Sequence, residues 1–530
     1  MSKNKDYKNI YAVFPDVALT IMLFISAAFL ALISYYAINC TYLLRRFGGQ
    51  VPFYLTDNPF KQLAVFGLFT AVLIVSGFLW DRYCKNTAGM ADLILVLSTF
   101  FILAVGFVFL KDHPYYMDGD QINTFYAGVY ANDEGSPIQY IMFQKGGYIG
   151  IYPQQKGLVL FYYFLYKVLG DKMFESLQYF HLLYPCMILH AGYHILKKEG
   201  LTAFARSVFC IMVASCLPLY VYIPYMYGDL GSVAFSFCFA LFFTFYLHTG
   251  KVLYILLMCL SGSIAVLLRM QIWILIIAAF IVLFLEYMRR RKVMILIAGI
   301  CVIASAFLGS FAVEKFFEAK TGYVGVEGIP SICWVAMGLQ ETEGNPGVYN
   351  RYNQGTFEEC GFDPDITSEV AKENIRNTIT YMKENPEYAR WFFSTKLKQE
   401  WTEPDLEGVS MTSVWDELSG TDPSEAPGWL LDFYLSGIWH EKLINFANRY
   451  QTVCYLSALC LVIFMLFKKR SDLSTAVQLQ LIYFIGGLIF FAVWENKSRY
   501  ILPFFVSLVL MIPYYADALR SLLHFGKRRN

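Results

Sequence analysis

Long apolar runs recur through most of the chain and are separated by short polar segments. A helix that crosses the hydrocarbon core of a membrane needs about 20 mostly apolar residues. Twelve runs approach that length, so the pattern predicts twelve membrane-spanning helices. Their approximate bounds are 17–38, 63–80, 91–110, 174–196, 203–221, 230–248, 252–268, 271–288, 293–312, 451–467, 476–494 and 501–516.

One shorter apolar run, 157–170, is interpreted from the distribution of basic residues, which accumulate on the cytoplasmic side of membrane proteins. If this run lies flat in the interface, six basic clusters share the side of the N-terminus; if it crosses, the last four change side. We therefore predict an interfacial helix and cytoplasmic termini. The clusters are Lys3/Lys5/Lys8, Arg82/Lys85, Lys197/Lys198, 289–292, 468–470 and 527–529. Arg45 and Arg46 are the exception, because they fall in an external loop.

This topology divides the chain into four parts. Residues 1–90 form a membrane hairpin, 91–312 a membrane core with an external loop at 111–172, 313–450 an external domain, and 451–530 the last membrane helices. The 313–450 segment holds 23 acidic and 11 basic residues, a net charge of −12, whereas the rest of the chain carries +13. We expect a small folded α-rich domain there, with one or two helices over 367–398.

Composition agrees with a membrane protein and narrows its chemistry. The chain is 57% hydrophobic and 16% charged, against roughly 25% charged residues in soluble domains, which excludes a soluble enzyme and a nucleic-acid binder. No predicted cytoplasmic loop is long enough to hold a nucleotide.

His190 and His194 lie one helical turn apart but inside an apolar run, and are interpreted as polar groups of the bundle. Cys333 and Cys360 are the only cysteines of 313–450, and both a disulfide and two free thiols remain open.

Charged and polar residues gather at the outer ends of the predicted helices, where their cost indicates function by default. They are Asp118, Asp120, Tyr152, Lys156, Asp229, Arg269, Glu495, Lys497 and Arg499. Each also has a structural explanation: a turn at 118–120, a snorkelling Lys156, a helix N-cap at Asp229, and a loop salt bridge at Arg499. The hypothesis depends on their shared side, not on any one of them.

These residue types suit a site that binds an anionic lipid headgroup and transfers a proton. Arg499 and Lys156, with Lys497 or Arg269, would neutralise the phosphate of a polyprenyl-linked glycosyl donor and of the leaving polyprenyl phosphate. An acceptor hydroxyl needs a general base, and a carboxylate near a desolvated interface is suited to that role. Asp120 and Asp118 are the candidates.

Four segments, in this order, resemble motifs of the GT-C superfamily of membrane glycosyltransferases, especially bacterial relatives of protein O-mannosyltransferases and the lipid A aminoarabinose transferase. They are Asp118-Gly119-Asp120, the 152–158 segment YPQQKGL, the 224–229 segment PYMYGD and the 495–503 segment ENKSRYILP. The resemblance covers about 91–516. It implies an all-α polytopic fold, a GT-C-like bundle of about twelve helices with interfacial helices, and an external α-rich domain.

By this resemblance Asp120 is the catalytic base and Asp118 its alternate, Arg499 and Lys156 bind the donor phosphate, and Asp229 is a second acidic residue. Glu495 and Tyr152 complete the second, acceptor side. No cofactor is expected, although a divalent ion at Asp118 and Asp120 is an alternative, because oligosaccharyltransferases of the superfamily hold one at an acidic pair. The sequence departs from protein O-mannosyltransferases, which have adjacent Asp-Glu, and from the superfamily in the leading hairpin and the 313–450 domain.

The expected protein is an inverting glycosyltransferase of the bacterial plasma membrane. It would move a sugar from a polyprenyl-phosphate donor to a glycan, teichoic acid, lipid or protein acceptor on the extracytoplasmic face, with no nucleic-acid partner. Two alternatives remain: a lipid-linked polysaccharide polymerase or ligase, which shares the substrate class, and a secondary transporter. Transporters place polar groups near the membrane midplane and show internal repeats, whereas the polar groups here lie at helix ends.

Overall fold

In the computed structural model the chain is 80% helical. The structure describes residues 3–46, 50–111, 113, 117, 119–133, 135–412, 428–434 and 437–525. Within them, nine helices are long and apolar enough to cross a membrane. The prediction of an all-α polytopic membrane protein is confirmed at this level, whereas twelve crossings are not.

The long apolar helices and several shorter ones form one bundle with a continuous buried core. They are α1 (Lys3–Asn39), α2 (Pro59–Tyr83), α3 (Thr87–Leu110), α9 (Leu183–Lys198), α10 (Ala203–Ala214), α12 (Asp229–Thr249), α13 (Val252–Leu268), α14 (Trp273–Arg290), α15 (Val293–Thr321), α22 (Ile438–Leu466), α23 (Thr475–Val493), α24 (Leu502–Val509) and α25 (Ile512–Phe525). Large apolar side chains on α2, α3 and α15 remain exposed, as lipid-facing helices require.

Two of the predicted crossings are interrupted. The run 174–196 is divided between α8 (Met173–His181) and α9, with a turn at Leu182. The run 203–221 is divided between α10 and α11 (Leu217–Val221), which has Pro218 in its first turn. A proline has no N–H for the preceding turn and disfavours helical geometry in the residue before it. Helix α10 therefore ends at Ala214, ahead of Pro218. Helix α13 has only 17 residues.

The bundle helices alternate in direction, which sorts the chain between two ends. One end of the bundle, which we call the site end, contains the C-terminal ends of α3, α13 and α23. It also contains the N-terminal ends of α12 and α14. At the other end two of the basic clusters, 289–292 and 468–470, meet: Arg289 pairs with Asp16 at 2.9 Å and donates to the carbonyl of Arg470 at 3.3 Å. These two clusters are separated from the candidate site residues along the bundle axis, as predicted, whereas 527–529 lies outside the described residues.

Short helices and hairpins cover the site end. The external loop contains α4 (Gly119–Tyr130), α5 (Pro137–Phe143), α6 (Tyr148–Ile151) and α7 (Lys156–Leu169); the inserted domain contains α16 (Ile332–Gly338), β3 (Glu341–Thr342), β4 (Asn345–Pro346), α17 (Tyr352–Glu359), α18 (Pro364–Glu384), α19 (Pro386–Trp401), α20 (Gly408–Met411) and α21 (Gly428–Tyr434). Helices α18 and α19 confirm the helices predicted over 367–398. The prediction did not include β1 (Cys40–Arg46) and β2 (Gln50–Thr56), which pair as an antiparallel hairpin.

Two small cores attach these elements to the bundle. Phe143, Val159 and Phe317 join α5 and α7 to the end of α15. Ile151, Cys333 and Phe357 join the loop to the inserted domain. Helix α15 runs on to Thr321 and α22 begins at Ile438, so both extend into the predicted 313–450 domain.

Arg45, the exception to the charge rule, is buried. It lies 3.7 Å from Asp405 and 3.2 Å from the imidazole of His440. A basic residue that is neutralised inside a folded domain carries little information about sidedness, because the charge rule applies to exposed loop residues. Cys333 and Cys360 are both free thiols.

Candidate functional site

A cavity of about 380 Å³ opens at the site end between the bundle, the external loop and the inserted domain. Segments far apart in the chain supply its walls. They are 119–121, 152–155, 225–227 and 495–500, with Arg269 from the end of α13 and Trp334, Tyr349, Asn353 and Met411 from the inserted domain. The cavity brings together six of the predicted residues: Asp120, Tyr152, Arg269, Glu495, Lys497 and Arg499.

Arg499 is the most enclosed cation of this cavity, with 5% of its surface exposed. Its Nη1 donates to the hydroxyl of Tyr225 and lies 3.7 Å from the sulfur of Met411. The guanidinium carbon lies 5.6 Å from the ring centre of Tyr227 and 5.3 Å from that of Tyr500. Among the described residues it makes no ion pair with a carboxylate, and its buried Nε has no hydrogen-bond partner. A buried cation in that state is costly unless an anion joins it.

The other two cations of the cavity are already paired. Arg269 Nη2 lies 3.2 Å from Asp229 Oδ1, and that carboxylate is 1% exposed. Lys497 Nζ lies 3.3 Å from Glu495 Oε1. Glu495 also accepts a hydrogen bond from the hydroxyl of Tyr500 at 3.0 Å. Of the three cations, only Arg499 makes no direct ion pair with a carboxylate of the described residues.

Close backbone packing brings Arg269 to this place. A Cβ on Gly157 would lie 2.2 Å from the carbonyl oxygen of Leu267, and one on Gly228 would lie 2.3 Å from that of Leu268. Only glycine permits such an approach. The start of α7 and the turn before α12 thus both contact the last turn of α13, directly ahead of Arg269.

Asp120 lies in the first turn of α4 and is exposed to the cavity. Its Oδ1 accepts a hydrogen bond from the hydroxyl of Tyr148 at 2.8 Å. Burial raises the pKa of Tyr148, and the neighbouring Asp120 raises it further, so the phenol stays protonated and donates. The carboxylate is held by this bond while its other oxygen remains available.

Tyr227 lies in the electrostatic field of both the predicted base and the predicted phosphate ligands. Burial raises its pKa, Asp120 raises it further, and Arg269 and Arg499 lower it. Its ring faces Arg269 at 4.9 Å, and its hydroxyl accepts a hydrogen bond from Gln155 Nε2 at 2.5 Å. Tyr152 lines the same cavity and donates to Gln354 Oε1 at 3.3 Å.

Three predicted residues are elsewhere. Lys156 does not line the cavity; its ammonium is 2.6 Å from Glu314, so the role of phosphate ligand receives no geometric support. Asp229 lies behind the wall as the partner of Arg269 and begins α12. Asp118 lies outside the described residues, and with it the alternative of a divalent ion at Asp118 and Asp120.

A buried acidic segment of the inserted domain, which we call the acidic strap (residues 403–407), fixes the loop that carries Arg499. Glu403 accepts from the Leu44 amide at 2.7 Å and from the Ser498 hydroxyl, and Glu407 accepts from the Ser498 amide at 2.9 Å. Burial raises the pKa of Glu403, and the nearby Asp405 and Glu407 raise it further. The strap therefore joins the β1–β2 hairpin to the arginine loop.

Sequence reasoning missed several residues of the cavity. Tyr225 and Tyr227 belong to the PYMYGD segment, and aromatic residues beside a predicted cation were a usable signal. Trp334, Tyr349, Asn353 and Met411 carried none, because they lie in a domain whose sequence shows no motif. Comparisons of the chain with protein-family models and with curated protein sequences find no match.

Proposed function

We propose that the protein is a membrane-embedded glycosyltransferase that uses a polyprenyl-phosphate-linked sugar as donor. The sugar passes to a cell-envelope acceptor at the site end, with inversion at the anomeric carbon. The observation that carries the proposal is one cavity that holds a buried arginine without a carboxylate partner and an exposed, hydrogen-bonded aspartate.

The ion pairing of the cavity supports a phosphodiester bound at Arg499. Arg269 and Lys497 are paired with Asp229 and Glu495, whereas Arg499 has no carboxylate partner among the described residues and is free to pair with a ligand. A phosphodiester carries one negative charge and oxygens that suit the planar guanidinium. The rings of Tyr227 and Tyr500 lie beside the guanidinium, and their attraction for the cation helps to keep it at the cavity before the phosphate binds.

Asp120 would act as the general base. It accepts the proton of an acceptor hydroxyl while that oxygen bonds to the anomeric carbon and the bond from this carbon to the phosphate oxygen breaks. The electron pair leaves with the polyprenyl phosphate, which gains a second negative charge next to Arg499. Tyr148 supports this role because its hydrogen bond orients the carboxylate.

The proposed orientation puts the site end on the extracytoplasmic face of the plasma membrane. The basic clusters 289–292 and 468–470 meet at the opposite end of the bundle, and positive loops are retained in the cytoplasm. Helix α7 supports an interfacial position, since it starts against the last turn of α13 and leads into α8, whose His181 contacts the carbonyl of Ile223 at 2.9 Å. The start of α7 and the last residue of α8 therefore both lie at the site end.

The test is sugar transfer by purified protein in lipid nanodiscs. Polyprenyl-phosphate sugars serve as donors and extracted envelope fractions as acceptors. Asp120→Asn keeps an oxygen that can accept from Tyr148 but removes the base, so transfer should fall by about 10²–10⁴-fold. Asp171→Asn, at an exposed turn after α7, is the matched control. Equal transfer by wild type and Asp120→Asn would contradict the role of Asp120, and absence of any transfer would contradict the function.

A further inference from the structure

The two sides of the cavity differ in chemistry. The bundle side carries Arg269, Lys497 and Arg499, whereas the inserted domain contributes Trp334, Tyr349, Asn353 and Met411, all uncharged. We infer that this neutral wall is a binding subsite for an uncharged saccharide. The inference rests on the proposed function and deepens it by naming the ligand class of the domain wall.

The absence of charge on this wall is informative because the domain around it is highly charged. Residues 313–450 contain 23 acidic and 11 basic side chains, yet none of the described ones lines the cavity. A site for a polyanionic polymer needs cations there, and the net charge of −12 opposes such a ligand at long range. A neutral ligand meets no such penalty.

Trp334 supplies a fixed aromatic face. Its ring lies parallel to that of Trp494, with centroids 5.9 Å apart and an angle of 2° between planes, and Tyr152 meets it nearly edge-on at 6.3 Å. These contacts hold the ring while part of it remains accessible in the cavity. A sugar ring presents C–H groups on its faces, and a rigid indole offers them apolar area at little cost in conformational entropy.

Amide groups next to this ring suit sugar hydroxyls. Asn353 is 1% exposed, and its Oδ1 accepts from the Gln354 amide at 2.8 Å. The Nδ2 group of Asn353 donates to no described residue. Gln154, on the opposite loop, also lines the cavity with its amide unpaired among the described residues. Sugar hydroxyl groups can both donate to such amides and accept from them.

Together the rings and amides favour a saccharide over a peptide. Ligand sites combine apolar surface with a few placed polar groups that set orientation, and here the rings of Trp334 and Tyr349 line the same cavity as the amides of Asn353 and Gln154. The bound saccharide can be the sugar of the donor or a neutral glycan acceptor; both present the same chemistry.

Saturation-transfer NMR on the protein in nanodiscs tests the subsite. The probes are methyl glycosides of glucose, galactose, mannose and N-acetylglucosamine and their disaccharides, with a threonine-containing hexapeptide for comparison. At least one glycoside should bind to wild type. Its affinity should fall about tenfold or more in Trp334→Ala and in Asn353→Ala, and Trp334→Phe should restore most of the loss at residue 334. Trp391→Ala, which removes an exposed tryptophan that packs on Tyr388, should bind normally.

Several outcomes would overturn the subsite: no glycoside binds, binding is equal in wild type and Trp334→Ala, or only the peptide binds. Competition separates the two sources. Displacement of the glycoside by a polyprenyl-phosphate sugar but not by polyprenyl phosphate identifies the donor's sugar, and no displacement identifies an acceptor glycan. Binding of polyprenyl phosphate that depends on Arg499 is measured in parallel. If that binding is present without glycoside binding, the subsite is wrong and the proposed transferase stands. If glycosides bind and polyprenyl phosphate does not, the saccharide subsite stands and the proposed use of a polyprenyl-phosphate donor is wrong.

Discussion

Arg499 offers the most direct perturbation of the proposed donor site. Arg499→Met removes the charge and keeps a long side chain between the rings of Tyr227 and Tyr500. The buried guanidinium has no carboxylate partner among the described residues, so a phosphate would make its full charge-assisted interaction there. Such a hydrogen bond contributes about 1.5–3 kcal/mol, which corresponds to an affinity loss of about 10–150-fold.

The assay is equilibrium binding of radiolabelled undecaprenyl phosphate to the protein in nanodiscs, with undecaprenol as the ligand without charge. Wild type should prefer the phosphate, and Arg499→Met should lose that preference while it retains binding of the alcohol. Arg499→Lys should be intermediate, because an ammonium keeps the charge but not the planar fork. Arg390→Met makes the same change on the exposed surface of α19 and should bind as wild type does.

Stability distinguishes a binding role from a structural one. Replacement of an unpaired buried charge by an apolar side chain is often neutral or stabilising, so the apparent melting temperature of Arg499→Met should equal or exceed that of wild type. The reasoning is refuted if Arg499→Met binds undecaprenyl phosphate as tightly as wild type does. It is also refuted if the variant loses phosphate and alcohol binding equally.

Two further predictions concern buried charges. Asp229→Ala leaves Arg269 buried without its partner, so the free energy of unfolding should fall by about 3–5 kcal/mol. Thermal unfolding should show a lower melting temperature, and adding Arg269→Gln should recover most of the loss. An unchanged melting temperature in Asp229→Ala would contradict the pairing. Burial raises the pKa of Glu400 to about 8, above its ordinary value of 4.5. Between these two pH values the folded protein keeps a proton that the unfolded chain releases. The stability of the folded protein therefore falls as the pH rises through this range. Glu400→Gln should therefore raise the melting temperature at about pH 9 and change it little at about pH 5; equal shifts at both pH values contradict this.

The extent of prediction differs between helices and site. The apolar runs predicted the fold class because a membrane-spanning helix satisfies its backbone within one segment, so local sequence suffices. The interruptions at Leu182 and ahead of Pro218 were not predicted, although the proline was visible. Hydropathy averages over a window and does not register a single missing N–H.

The sequence also predicted some features of the site residues and not others. Asp120, Glu495 and Arg499 were predicted because charge at a helix end is visible in the sequence, and helix direction alone puts these groups at one end of the bundle. Their partners were not predictable. Lys156 and Arg269 look alike in the sequence, but Lys156 is paired with Glu314 outside the cavity, whereas Arg269 lines the cavity and is paired with Asp229 behind its wall.

The sequence by itself determined that this is a helical membrane protein with basic clusters and candidate site residues at opposite ends of its helices. Only the tertiary structure decided which charges are compensated and which is left over, because ion pairing depends on distances of a few ångströms between segments far apart in the chain. The neutral wall of the cavity, which includes Trp334 and Asn353 and faces a charged side, was likewise decided only by the tertiary structure. It arises from how an acidic domain packs against the bundle, and no local pattern encodes that.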